Sequence, residues 1–156
     1  MPPKTYTIPA KPKTDAQFLE VIALVIFIMR FNGEIVHKRW PLITKSFYNF
    51  NIDKVRTKTV EDFLGKPGVI NNKAKIKAII ANAQRCHDLI KKHGSMKQWV
   101  DTTVQTHKKD PIFNQNLREQ CQEFEHIGSM TSEWLDYVFT KAKNKPMVCK
   151  HGEKPP

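Results

Sequence analysis

Cysteine is scarce in this sequence, and its three cysteines stand far apart. Cys86, Cys121 and Cys149 form no Cys-x-x-Cys pair, whereas disulfide scaffolds and thiolate zinc sites need several cysteines at close spacing. The composition therefore excludes a disulfide framework and a cysteine-rich metal cluster. It indicates a protein of a reducing compartment.

The sequence also has no hydrophobic run long enough for a membrane span. Its longest apolar run, 21–29, has nine residues between Glu20 and Arg30, whereas a transmembrane helix needs about 20. The N-terminal residues MPPKTYTIPAKPK are basic and proline-rich and lack the apolar segment of a signal peptide. We therefore expect an intracellular protein, in the cytoplasm or nucleoid or in a nucleus, with no membrane partner.

The alternating pattern typical of strands is missing as well, and helical spacing takes its place. Thr14 and Gln17 have the spacing of a capping box ahead of the first apolar run. Later apolar residues, such as Val36, Trp40 and Ile43, recur every three or four positions. This periodicity predicts an all-α protein of seven or eight short helices.

Acidic residues are few compared with basic ones. The chain has 15 Asp and Glu against 26 Lys and Arg, a formal net charge of +11, which favours a polyanionic partner such as nucleic acid. Its 156 residues, 40% of them hydrophobic, suffice for one sizeable core. We expect a monomer with one helical domain over 14–144, between a flexible basic arm over 1–13 and a basic tail over 145–156.

One segment, FLGKPGVINNKAKIKAIIANAQ over 63–84, combines a Pro-Gly turn with a lysine-rich helix start. Backbone amides at such a helix N-terminus suit a phosphate oxygen, and Gly68 would let the backbone approach that ligand with a positive φ. Lysines are unfavourable near the positive end of a helix dipole, so the lysines in the first turns indicate a role other than stabilising the helix. These features alone leave two interpretations equally open, a phosphate-binding hairpin over 64–75 and a solvated helix behind an ordinary turn. The candidate DNA-binding residues are Lys66, Gly68, Val69, Ile70, Asn71, Asn72, Lys73 and Lys75.

The same segment resembles the helix-hairpin-helix of the bacterial 3-methyladenine DNA glycosylase I family. Gly68-Val69-Ile70 stands at the family's Gly-Ile-Ile turn, Lys75-Ile76 at its Lys-Ile pair and Asn82-Ala83 at its Asn-Ala pair. Similar spacings upstream, and FEHIGSMTSEWLDYVF from Phe124, extend the resemblance over 15–149.

This resemblance implies a helix-hairpin-helix DNA glycosylase fold, in which two small helical lobes surround a cleft. Hairpin amides would hold duplex DNA, and a damaged base would turn out into the cleft, because the glycosidic bond is shielded inside the base stack. The expected function is base excision repair, by hydrolysis of the N-glycosidic bond of alkylated bases without a cofactor. The candidate pocket residues are Val25, Phe27, Phe31 and Trp40.

Several positions depart from the family pattern. The family's pocket glutamate falls at Val25 and its pocket tryptophan at Gly33. Of the ligands for the family's structural zinc only Cys149 remains, and a tetrahedral site needs four ligands. We therefore expect no metal site in this chain.

Two nearby carboxylates could replace the missing glutamate. Glu34 lies near the mouth of the expected cleft, and Glu20 lies on the same helix as Val25, although charges at such positions are more often solvated or capping. The catalytic group is therefore unknown, with Glu34 as the candidate. Two alternatives to an enzyme stay open, a catalytically inactive helix-hairpin-helix protein that binds duplex DNA and a helical scaffold without a DNA partner.

Overall fold

A computed structural model describes residues 5–106, 115–143, 145 and 147–150 of the chain. Seven α-helices account for most of the regular structure in these residues, which confirms the all-α prediction. The helices are α1 (Asp15–Ile28), α2 (Gly33–Ser46), α3 (Ile52–Arg56), α4 (Lys73–His93), α5 (Met96–Thr106), α6 (Gln115–Cys121) and α7 (Ser129–Thr140). Two 3₁₀ turns, Tyr48–Phe50 and Val60–Asp62, and two short strands, β1 (Thr5–Ile8) and β2 (Met147–Lys150), complete the described elements.

The first helix begins where the capping box predicts. The Thr14 hydroxyl accepts a hydrogen bond from the Gln17 amide at 3.3 Å, and the Gln17 side chain accepts one from the Thr14 amide at 3.2 Å. Helix α1 is buried on most of its circumference and contacts α2, α3, α4, α5 and α7. A helix that is apolar all round lies inside a domain, so α1 is the central helix.

An aromatic cluster fills the space between α1, α2 and the segment 47–63. Trp40 stacks on Phe50 with ring centroids 5.5 Å apart and meets the edge of Phe27 at 6.3 Å. Phe47 stacks on Phe63 at 4.2 Å. Large aromatic rings dominate core energetics where they pack in this way. The cluster fixes the chain immediately before the hairpin segment, which we define as residues 64–75.

Polar contacts join α4 to the segment between α6 and α7, and join α6 to α7. The buried Asn82 amide group of α4 donates to the carbonyl of Glu125 and accepts from its amide. Arg118 of α6 forms an ion pair with Asp136 of α7 at 2.8 Å, and the Asp136 side chain is 1% exposed. A carboxylate this deeply buried depends on its partners.

The two strands pair with each other across almost the whole length of the sequence. They are antiparallel, with Thr5 opposite Lys150 and Ile8 opposite Met147. The sequence predicts a flexible arm over 1–13 and a loose tail, and the pairing of 5–8 with 147–150 differs from that expectation. The reason is that each strand obtains its hydrogen-bond partners from a segment far away in the sequence. The outer ends, 1–4 and 151–156, lie outside the described residues.

Membrane insertion was not expected from the sequence. None of the helices that the structure describes combines the length and the apolarity that a membrane crossing requires.

We predict that Arg118→Met destabilises the fold, because the buried Asp136 carboxylate then loses its ion pair with Arg118. Removing one member of a buried ion pair costs about 3–5 kcal/mol, and we expect about 3 kcal/mol because Arg118 is itself partly exposed. Urea unfolding followed by circular dichroism measures the loss. The control is Arg56→Met, which loses an ion pair to the exposed Asp53 and should cost at most about 1 kcal/mol. Equal losses in the two variants would contradict the assignment.

Candidate nucleic-acid interface

The hairpin segment connects a 3₁₀ turn, Val60–Asp62, to the N-terminus of α4. Internal hydrogen bonds close its turns: the Val69 amide donates to the Lys66 carbonyl at 3.1 Å, and the Asn72 amide donates to the Ile70 carbonyl at 2.8 Å. Because the arm before the turn is 3₁₀ rather than α-helical, the helix-hairpin-helix assignment stays a prediction.

Five backbone amides of the hairpin segment have no acceptor in the described part of the chain. These are the amides of Gly68, Ile70, Asn71, Lys73 and Ala74. From the sequence we expect the amides of Val69 to Asn72 to be available for a phosphate. The Val69 and Asn72 amides are instead used in hydrogen bonds inside the turn. The Asn72 side chain caps α4 by accepting from the Lys75 amide at 3.1 Å. The unpaired donors therefore lie on both sides of this cap, at the positive end of the α4 dipole.

Gly68 approaches another part of the protein instead of leaving space for a ligand. Its φ is +78°, and a Cβ at this position would lie 2.6 Å from the Leu42 Cβ and 3.3 Å from the Ile43 amide nitrogen of α2. The hydroxyl of Ser46, also on α2, donates to the Pro67 carbonyl at 2.8 Å. The prediction of positive φ is confirmed. The close approach that glycine permits here is to α2, because the turn packs against that helix.

Lys66 points towards the protein. Its ammonium donates to the Tyr48 hydroxyl at 2.9 Å and lies 4.3 Å from the centre of the Tyr48 ring. This hydrogen bond is the main reason why the pKa of the Tyr48 phenol is lowered. Lys66 thus joins the hairpin segment to the 3₁₀ turn that follows α2.

Lys75 also points towards the protein, whereas Lys73 does not. The Lys75 ammonium donates to the carbonyls of Phe27 at 3.1 Å and Met29 at 2.5 Å, and burial lowers its pKa. The Lys73 side chain is exposed and has no partner among the described residues. Of the candidate lysines in this segment, Lys73 is therefore the one whose charge is free for a phosphate.

The four candidate pocket residues do not share one surface. Phe27 is fully buried behind Trp40, which is partly exposed. Val25 is partly buried against the core, and Phe31 lies at the surface beyond the end of α1 with 43% of its area exposed. The structure thus brings Phe27 and Trp40 together and leaves Phe31 at the surface turn. Their role in base binding stays a prediction.

The two candidate carboxylates occupy different environments. Glu34 is exposed in the first turn of α2, where its negative charge interacts favourably with the positive end of the helix dipole. Glu20 is partly buried, and its carboxylate accepts a hydrogen bond from the Trp40 indole at 3.5 Å. Burial raises the pKa of Glu20, and the bond from Trp40 acts in the opposite direction. The sequence favours Glu34, but Glu20 is the carboxylate that lies against a candidate pocket residue.

No described residues form a metal site. Nowhere within the described ranges do three side chains of His, Cys, Asp or Glu stand close enough to share an ion. Cys86 and Cys121 are fully buried, and burial raises the pKa of both thiols, which opposes thiolate ligation. The side chain of Cys149 lies outside the described residues. The described donors therefore do not fit a structural zinc, and its absence from the protein stays a prediction.

Two comparisons with known proteins agree with each other. Residues 8–135 match the family model described as methyladenine glycosylase. The fold is similar to a crystal structure of 3-methyladenine DNA glycosylase I, with a TM-score of 0.63 over 85% of this chain and 80% of that chain. The sequence identity is 20%, so this likeness shows the fold alone. No curated protein sequence matches the chain significantly.

We predict that Gly68→Ala destabilises the protein more than Gly65→Ala does. Both glycines have a positive φ, so each alanine costs about 1–2 kcal/mol of backbone strain. Only the alanine at 68 also meets α2, since nothing lies within 4 Å of a Cβ at 65, and overpacking adds about 1–3 kcal/mol. Thermal and urea unfolding of the two variants measure the difference. Equal stabilities would contradict the packing of this turn against α2.

Proposed function

The chain belongs to the methyladenine glycosylase family, and from that premise we propose that it binds duplex DNA and hydrolyses the N-glycosidic bond of alkylated bases. The family match carries this proposal, because the matched residues 8–135 include α1, α2, the hairpin segment and α4. Family membership also confirms the resemblance inferred from the hairpin sequence.

The proposed phosphate contact is the N-terminus of α4. The amides of Ile70, Asn71, Lys73 and Ala74 have no acceptor in the described structure, and helix N-termini of this kind bind phosphate through amides and the dipole together. Lys73 adds an exposed cation beside them. Contacts of this type fix the register of the protein on the duplex and carry no sequence information. The hairpin would therefore bind any duplex.

The proposed base site lies along α1 and α2. An enzyme that cleaves the base from its sugar must first turn the nucleotide out of the stack. Phe31 is the exposed aromatic at the turn between the two helices, and the partly exposed Trp40 is the aromatic beside Glu20. Flat rings at these positions suit stacking on a purine. Val25 replaces the family's glutamate, so that position supplies no acceptor for the base edge, and discrimination between bases should be weak.

The proposed chemistry needs only modest help from the protein. A cationic alkylated purine is already a good leaving group, because it departs as a neutral base with the electron pair of the glycosidic bond. Water adds to the sugar carbon and gives up a proton to the solvent. Positive charge develops on the sugar in the transition state, and a fixed carboxylate in a water-poor site stabilises such charge. In this proposal Glu20 supplies that carboxylate, since it is partly buried and lies against the Trp40 indole.

We predict that duplex binding weakens strongly with salt and depends on Lys73. With three to five phosphate contacts, log K should fall against log salt with a slope of about −3 to −4.5. Lys73→Gln should make this slope shallower by about 1 and weaken binding to every duplex alike. Fluorescence anisotropy with labelled duplexes over a salt series measures both effects. Binding that ignores salt, or an unchanged slope in the variant, would rule out the proposed contact.

We also predict slow release of 3-methyladenine or 7-methylguanine from methylated duplex DNA, and little action on uracil or oxidised guanine. Chromatography of the freed bases measures the release against a no-protein control. Because Glu20 and not Glu34 lies against Trp40, Glu20→Gln should lower the rate at least about tenfold and by more than Glu34→Gln. Salt-sensitive binding without any release above the control would leave the catalytically inactive alternative.

A further inference from the structure

The C-terminal end of α1 obtains its cation from another helix. Its last turn is entirely apolar, although the carbonyls there carry partial negative charge and lack helical partners. The Lys75 ammonium donates to two carbonyls at this end, those of Phe27 and Met29, which lie 48 and 46 residues away in the sequence.

The position of Lys75 is unfavourable within its own helix. It lies in the first turn of α4, where the dipole disfavours a cation, and partial burial removes some of its hydration and lowers its pKa. Both penalties are offset at the end of α1, where the dipole favours a cation and two carbonyls accept its hydrogen bonds. The ammonium thus bridges the negative end of α1 and the positive end of α4.

The turn that Lys75 contacts carries the exposed pocket candidate. After α1 ends, Arg30 adopts a positive φ of 54°, which is rare for a residue with a side chain. The next residue, Phe31, lies with its ring centre 5.8 Å from the Lys75 ammonium. Asn32 then caps α2 through the Glu34 amide. A strained turn needs surrounding contacts to keep its conformation, and Lys75 supplies two of them.

We propose that Lys75 is a positioning residue that fixes the turn 29–32, and with it Phe31, relative to the phosphate-binding amides of the hairpin segment. This inference rests on the proposed function, because it assigns the hairpin to the DNA backbone and Phe31 to the base. With both parts joined through one side chain, the DNA phosphate and the extruded base have a defined separation. In this role Lys75 acts through the turn, since its ammonium donates to the carbonyls of Phe27 and Met29.

The test compares Lys75→Met, Lys75→Arg and the control Lys92→Met. Methionine keeps the apolar stem and removes the hydrogen bonds, whereas arginine keeps a cation that can donate to both carbonyls. Lys92 is an exposed lysine of the same helix, about 26 Å away along its axis, and its variant should behave like the wild type. The measurements are duplex affinity, single-turnover base release at saturating protein, and amide hydrogen exchange of residues 29–32.

We expect base release from the saturated complex of Lys75→Met to slow by about 10- to 100-fold, since a displacement of about 1 Å can have such an effect. Duplex affinity should change by less than about threefold, because Lys75 adds no direct phosphate contact. Lys75→Arg should recover most of the rate. A purely structural role predicts instead that affinity and rate fall together, and that result, or no rescue by arginine, would overturn the proposal.

Hydrogen exchange separates failure of this inference from failure of the proposed function. If the wild type releases no base, the enzyme assignment fails. The positioning role is then judged by the Met29 and Phe31 amides of this turn, which donate to the carbonyls of Val25 and Ile28 and should exchange at least about tenfold faster in Lys75→Met than in Lys92→Met. Fluorescence of a duplex carrying 2-aminopurine adds a measure of base extrusion that needs no cleavage. Unchanged exchange at 29–32 would overturn the inference whatever the DNA measurements give.

Discussion

Burial of α1 on most of its circumference is the constraint on which the rest of the structure depends. Eight of its fourteen residues are buried, so other helices and the aromatic cluster must surround it. A helix in this position cannot satisfy its C-terminal carbonyls with water as readily as a surface helix can. The ammonium of Lys75, on α4, donates hydrogen bonds to two carbonyls at this end of α1. The same contact brings the N-terminus of α4 beside the turn that carries Phe31.

The hairpin segment therefore combines internal structure with a candidate binding surface. Lys66 and Lys75 point inward and join the segment to Tyr48 and to the end of α1. Gly68 permits the contact with α2. Lys73 and the unpaired amides are the groups that we propose for phosphate binding. The number of lysines in a basic stretch is therefore larger than the number available to bind phosphate, because some of them donate hydrogen bonds to carbonyls and hydroxyls of the protein.

In the proposed base site, Val25 stands where the resemblance places the family's glutamate, and this would change how a base is recognised. An apolar side chain can contact a flat base but cannot accept a hydrogen bond from it, so recognition would depend on stacking and on the weakness of the glycosidic bond. Glu20 is a partly buried carboxylate on the same helix, and it lies against the Trp40 indole. A carboxylate placed there suits stabilisation of charge on the sugar better than recognition of the base edge.

The features that the sequence determined by itself are those that depend on neighbours a few residues away. The capping box of Thr14 and Gln17, the helical spacing of apolar residues and the positive φ of Gly68 are all local, and the hairpin motif indicated the family. Only the tertiary structure decided where the side chains point. Lys73 and Lys75 are two positions apart, yet one is exposed and the other contacts carbonyls 46 and 48 residues away. The pairing of β1 with β2 and the hydrogen bond between Glu20 and Trp40 have the same origin. Local features depend on residues within a few positions of each other. These contacts depend on how the helices pack around α1, and a short stretch of sequence does not contain that information.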